Sequence, residues 1–223
     1  MAKETDITVE GARELVSSQL LWPRVRDFLW DFAPQVHSSW LEGAGLTENI
    51  SCSVRAKNFL LAQLGVKPCF HAFPKEDGSR LLLLDGATLE SIANWLGALS
   101  CASKLRGITS GAEVRALKAA LPGVYPDVFG YVAYFKGTEI EDLGFKIEEG
   151  SFGEIGRLGG HILLSLLDAL PGHLVLRLKL KLPKAYSDDR PADANLQSSI
   201  FNQKLLTRLL KLKFPEAYSL CCS

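Results

Sequence analysis

The chain has 223 residues, a mass of 24.4 kDa and an apolar fraction of 47%, enough to bury a core without disulfides or a metal. Twenty-five basic and twenty-five acidic residues cancel, which argues against bulk binding to nucleic acid or to a charged membrane surface. A mean hydropathy of +0.10 is high for a chain with no membrane span. It suggests more apolar surface than one core needs, with the excess hidden against a partner.

No segment reaches the roughly 20 uninterrupted apolar residues of a membrane helix. The greasiest stretch, Leu158 to Leu170, is broken by His161, Ser165 and Asp168. The opening Met1-Ala2-Lys3-Glu4-Thr5-Asp6 lacks the apolar core of a secretory signal. Cys52, Cys69, Cys101, Cys221 and Cys222 are odd in number and form no CxxC pair, the usage expected of reduced thiols in a cytoplasmic protein.

In chain order, Thr8 caps a predicted first helix reaching about Leu21, and Pro23 opens a second with Val25, Phe28, Leu29 and Phe32 on one face. Pro34 breaks it, and a short segment holds Trp40 and Leu41. Thr47 to Leu64 is the next predicted helix, stopped by Gly65. Turn residues fill Val66 to Ser79, and the leucines from Leu81 to Leu84 are too few to type by period. Asp85 to Arg106 reads as one long helix or two short ones. Ser110-Gly-Ala-Glu113 and Ser151-Phe-Gly-Glu154 are capping-box patterns opening two more helices. Pro126 begins another, running through Phe135.

Between Leu174 and Leu182 the leucines occupy one parity, with Arg177, Lys179 and Lys181 on the other. Such alternation favours a half-buried strand, although a helix could hold Leu174, Leu178 and Leu182. Gln197 to Phe214 is an amphipathic helix, with Ile200, Leu205, Leu209 and Leu212 opposed to Lys204, Arg208 and Lys211. The expected architecture is therefore mainly α: a flexible N-terminus over 1–8, one compact helical domain over 9–215 with at most a small strand near 174–182, and a tail over 216–223.

The chemistry-bearing patterns fail on context. Gly153, Gly156, Gly159 and Gly160 lack the Gly-Lys-Ser/Thr of a phosphate loop, and fit close helix packing instead. His161, Ser165 and Asp168 share a helical face, but His161 and Asp168 would stand about 10 Å apart along the axis. Ser165 also has no oxyanion donors, because helical N–H groups are already spent. Cys69 and His71 form a pair with no second pair, and His37, His161 and His173 are scattered, so neither catalytic residues, metal ligands nor a cofactor site is expected. Arg177, Lys179 and Lys181 have no interleaved aromatics for base stacking. The four tryptophans Trp22, Trp30, Trp40 and Trp95 read as core or interface anchors.

Charge is segregated although its sum is zero. Glu139, Glu141, Asp142, Glu148, Glu149 and Glu154 cluster against Lys146 alone, whereas Lys204, Arg208, Lys211 and Lys213 follow one another without an acid. The ordinary reading of such runs is solvated faces pairing with one another; but Lys204, Arg208 and Lys211 at i, i+4 and i+7 repel by about 0.2–0.5 kcal/mol per pair, a spacing that is odd unless an acidic surface faces them. That surface is either the chain's own 139–149 stretch or a partner.

Leu89-Glu-Ser-Ile-Ala-Asn-Trp-Leu-Gly97-Ala is followed by Ala102-Ser-Lys-Leu-Arg106, Gly111-Ala-Glu-Val-Arg-Ala-Leu117 and the aromatic run from Tyr125 to Phe135. This series resembles the middle of the K subunit (SctK family) of bacterial type III secretion sorting platforms. A glycine-bearing helix, the leucine alternation ending at Leu182-Pro183, and a leucine helix ending at Phe214-Pro215 extend the likeness over roughly residues 80 to 215. In place of the family's arginine pair stand Lys104 and Arg106. The resemblance implies a cytoplasmic, non-enzymatic adaptor that joins the cytoplasmic domain of the inner-membrane ring to the pods of the sorting platform. Neither nucleic acid nor membrane insertion is implied, and Lys204, Arg208 and Lys211 become the candidate partner-binding residues. The competing expectation is a small α-rich enzyme or regulator whose site is assembled from residues distant in sequence.

Overall fold

The computed structural model describes residues 21–43, 59, 61–66, 79–132, 134, 152–167, 170–186 and 199–222. Ten α-helices are labelled along them. They are α1 (Leu21–Leu29), α2 (Ser38–Gly43), α3 (Gly86–Ser100), α4 (Ala102–Arg106), α5 (Gly111–Ala120), α6 (Val128–Val132), α7 (Gly153–Ser165), α8 (Gly172–Lys181), α9 (Ser199–Lys213) and α10 (Pro215–Cys222). Short 3-10 turns at Ala33–Gln35, Ser79–Leu83 and Lys184–Tyr186 link them. The fold is mainly α in one domain, and no strand occurs among the described residues.

The centre of the molecule is the crossing of α3 and α7. Leu89, Ile92, Trp95, Leu96 and Leu99 from α3 are buried against Ile155, Leu158, Ile162 and Leu163 from α7. The α7 glycines explain how close the two backbones come. A Cβ on Gly159 would overlap the Ala93 carbonyl oxygen, and one on Gly97 would overlap the Ile155 carbonyl oxygen. Gly160 packs on the Tyr186 ring, and Gly156 faces Tyr186 and Asn94. Helix contact, as expected from the missing phosphate-binding lysine, is what these glycines serve. Gly153 is the exception, since nothing lies within 4 Å of the place its Cβ would take.

Helix starts differ from the expected caps. Asp85 caps α3, its carboxylate accepting the Thr88 N–H at 2.8 Å and the Thr88 hydroxyl at 2.8 Å. Ser110 stands at the N-cap of α5 but makes no side-chain cap bond. The start of that turn is exposed at Gly111 and Ala112, which leaves its free N–H groups open to water. Phe152 holds the N-cap of α7 without a side-chain bond, and Ser151 lies outside the described residues. Gly65 adopts φ 69°, a left-handed conformation that ends the helix before it.

Two expectations are corrected. The alternating segment 174–182 is helical, α8 running from Gly172 to Lys181. Its alternation misleads because two of its bases do not face water. Arg177 and Lys181, one turn apart, are each 1% exposed alongside Leu174, Leu178 and Leu180. Of the segment 216–223, expected as a tail, residues 216–222 form most of α10, and Ser223 lies outside the described residues. Ala217 is buried, Tyr218 and Leu220 pack on the core, and the Leu220 carbonyl accepts an Arg80 N–H at 3.3 Å. Pro215 opens this helix rather than closing the chain, as a proline at the first helical position does. The expected flexible N-terminus (1–8), the Thr8–Leu21 helix and most of Thr47–Leu64 lie outside the described residues.

Candidate functional site

The expected partner-binding residues all lie on one side of α9. Leu205, Leu206, Leu209 and Leu210 are buried and seat the helix on α7 and α10. Lys204, Arg208 and Lys211 are exposed on its outer face, with Gln203 and Thr207 beside them. Leu212, expected on the inner face, is instead 41% exposed, at the edge of the cationic row. Among the described residues no carboxylate lies within ion-pair distance of the three bases. The acidic stretch 139–149, which could face them internally, is outside the described residues.

Lys213 closes the same basic run but points the other way. Its ammonium meets Asp127 at 3.2 Å and sits 4.8 Å from the Trp95 ring centroid and 5.3 Å from that of Tyr131. It therefore fastens the end of α9 to α3 and α6, and belongs to the fold rather than to the outer face.

Arg177 and Lys181, expected on an outer face, form an internal clip. The Arg177 guanidinium lies 5.3 and 5.0 Å from the centroids of Phe28 and Phe32 and donates to the Phe28 carbonyl. Lys181 donates to the carbonyls of Leu82 at 2.6 Å and Leu84 at 2.9 Å, with its nitrogen 5.2 Å from the Phe28 ring. The two cations thus tie α1 and the Ser79–Leu83 turn to α8. Burial lowers the Lys181 pKa from 10.5 to about 7. Asp85 pulls it back up, while Arg177 and Arg24 press it further down.

Only some of the residues tested for catalysis are among those described. His161 is buried in α7, Ser165 donates its hydroxyl to the Ile162 carbonyl at 2.7 Å, and Asp168 lies outside the described residues. His37 is half-buried, its Nδ1 2.8 Å from the Ser39 hydroxyl, and His173 is exposed. Cys69 and His71 are outside the described residues. Among those described, no group of three metal-ligating side chains converges.

A cleft of about 290 Å³ opens between the start of α3 and the start of α10, lined by Arg24, Asp85, Thr88, Lys213 and Glu216 among others. Most of its polar groups already serve the fold. Burial alone would raise the Asp85 carboxyl, but the Thr88 hydrogen bonds, Asp85's own N–H and the Arg24 charge outweigh it and hold it below the ordinary carboxylate value. Lys213 is committed to Asp127.

The tryptophans, expected as core or interface anchors, divide between core and surface. Of the four tryptophans, Trp95 is buried and Trp40 is half-buried, its indole N–H donating to the Leu182 carbonyl at 3.0 Å. Trp22 and Trp30 are 39% and 55% exposed. They stand eight residues apart on α1 and its following turn, with Arg26 midway, so the three form one ridge at i, i+4 and i+8.

No family model matches the chain, and neither a curated protein nor a solved structure does. Among the described residues, no helix is long and apolar enough to cross a membrane.

Proposed function

We propose that the chain is a non-enzymatic adaptor of a bacterial type III secretion apparatus. In this reading it works in the cytoplasm, joining the cytoplasmic domain of the inner-membrane ring to a pod protein of the sorting platform. The observation that carries the reading is the outer face of α9. Three bases share one exposed face, a firm leucine seat holds that face outward, and no described carboxylate answers them. Surface charge repelling itself is retained at a small cost, and an acidic partner offsets that cost while steering encounter. The resemblance of residues 80 to 215 to the K subunit supplies the identity of the partners, and the mainly helical body agrees with it.

The test is reversal of the row, K204E/R208E/K211E. Exposed substitutions usually change stability by less than about 0.5 kcal/mol each, so the three together should move the melting temperature by no more than about 6 °C. Assembly with purified ring domain and pod protein should weaken by about tenfold or more against one of them. Early melting would make the row an internal clamp onto the chain's own acids. Normal melting with undiminished assembly would make it a solvated face and remove this site from the proposal.

A further inference from the structure

Two cations are sealed beneath α1. Arg177 and Lys181 stand one turn apart on the same face of α8, and water reaches neither. The Phe28 ring of α1 lies against both, its centroid 5.3 Å from the Arg177 guanidinium carbon and 5.2 Å from Lys181 Nζ. Phe32 adds a second ring, 5.0 Å from the same guanidinium carbon.

The charges facing Lys181 do not balance it. Arg24 on α1 and Arg177 on its own helix are cations, opposed by the Asp85 carboxylate ahead of α3. Both Asp85 oxygens already accept Thr88 donors, and among the described residues no carboxylate lies within ion-pair distance of Lys181. Arg80, on the Ser79–Leu83 turn, donates to the Leu220 carbonyl of α10. A buried ammonium without a contacting counter-charge carries a desolvation cost that the neutral amine escapes. The amine keeps two N–H donors for the Leu82 and Leu84 carbonyls.

The helix above them is hinged. Just beyond it the chain is pinned to the end of α8 and the segment after it. The His37 N–H donates to the Leu180 carbonyl at 2.8 Å, the Trp40 indole to that of Leu182 at 3.0 Å, and Ser39 Oγ accepts the Lys184 N–H at 2.9 Å. Between these pins and α1 stands the Ala33–Gln35 turn. α1 itself is seated by Val25, Phe28 and Phe32 and by the Arg177 bond to the Phe28 carbonyl. That is a smaller apolar seat than the buried runs from Trp95 to Ser100 and from Leu158 to Leu164. A segment held this way opens locally before the core does.

We propose that α1 is a proton-controlled cover, lifting from α8 about the Ala33–Gln35 turn and held open when the uncovered Lys181 amine takes a proton from solvent. Reseating the helix returns that proton to water. The covered amine is neutral above about 7, and the uncovered one is charged up to the ordinary lysine value of 10.5. Each unit fall in pH between those values therefore favours the open form by up to about tenfold. Below about 7 the covered amine holds the proton too, and the dependence ends. The device stands independently of the adaptor reading.

The experiment is amide hydrogen exchange on the full chain at about pH 7.5 and about pH 9, each rate divided by the intrinsic rate at that pH. The opening constant of 25–32 should be about twentyfold higher at the lower pH, and at both it should exceed those of 95–99 and 158–163. In Lys181→Met it should be the same at the two pH values. Three results overturn the proposal: a wild-type constant that ignores pH, a pH dependence that persists in Lys181→Met, or exchange of 25–32 only together with the two core runs. A second measurement needs no variant. Trace acetic anhydride acetylates Lys181 only when the amine is both uncovered and neutral, so the gain in neutral amine at higher pH cancels the loss of open form. Its labelling rate should change by less than about twofold between the two pH values, whereas the same lysine in a short unstructured peptide should react about thirtyfold faster at the higher one. Parallel rises in chain and peptide would show that Lys181 is charged while covered, and the proposal falls.

Discussion

Lys181 shows how a single side chain couples the fold to pH. Its ammonium is surrounded by the Leu82 and Leu84 carbonyls, the Phe28 ring, Asp85 at the start of α3, Arg177 on its own helix and Arg24 on α1. A neutral amine still has two N–H donors for the two carbonyls, so deprotonation keeps both hydrogen bonds and removes the cost of a buried charge. The folded pKa of about 7 lies below the ordinary lysine value of 10.5. Between those values the unfolded chain binds more protons, so stability rises with pH across the window and is lost again as pH falls toward 7. Tyr186 works against this at higher pH. Burial and then Glu90 raise it to about 12, so the folded chain holds the extra proton above about pH 10. Urea midpoints at about pH 7 and pH 9.5 should therefore climb for the wild-type chain. In Lys181→Met most of that climb should disappear. Equal slopes in the two proteins would show that Lys181 is charged at both pH values.

At the scale of elements, the α3–α7 crossing decides most of the architecture, and glycine decides the crossing. Gly159→Ala should cost at least about 1–3 kcal/mol, because its methyl would drive into the Ala93 carbonyl and force two helices apart. Gly153→Ala, at the exposed start of the same helix with open space around it, should gain up to about 1 kcal/mol from helix propensity. Chemical denaturation of the two variants checks the pair, and similar changes in both would mean that backbone contact does not govern the crossing. The helix-packing role of these glycines was legible from their place inside an apolar periodic pattern. The core face of α1 was legible for the same reason, since an apolar stripe reports which side a helix buries, whereas the pattern left Asp85 to Arg106 open between one long helix and the two that form. What the pattern could not report was a buried charge. Arg177 and Lys181 count as polar in any periodicity, yet carbonyls and aromatic rings from α1 and the Ser79–Leu83 turn receive them. Those partners are distant in sequence, so α8 looked like a strand with a wet face. The same limit applies to the candidate site. The row on α9 was visible as spacing, whereas the exposure of Trp22 and Trp30 depends on what packs against α1, which spacing does not encode.

For the molecule as a whole, the distribution of buried side chains ranks the helices by local stability. In α3 every residue from Trp95 to Ser100 is buried, and in α7 the whole run from Leu158 to Leu164 is. In α5 only Leu117 is buried among ten residues, so its hydrogen bonds are open to water on nearly every side. Helices with little apolar burial open in small local fluctuations, while a core pair opens only when the domain unfolds. α9, with four buried leucines, and α1, clipped by two cations, stand between these extremes and nearer the core. A docking face must keep its geometry between encounters, so it matters that the proposed face rides on a fastened helix and not on α5. Amide hydrogen exchange should therefore be slowest in 95–99 and 158–163 and fastest, among the α-helices described, in 111–120, with 204–211 well protected despite its exposed side chains. Fast exchange along 204–211 would mean that α9 detaches from its leucine seat. A row carried on a detaching helix would pay an ordering cost at every binding event, and the adaptor reading would lose the fixed cationic face on which it rests.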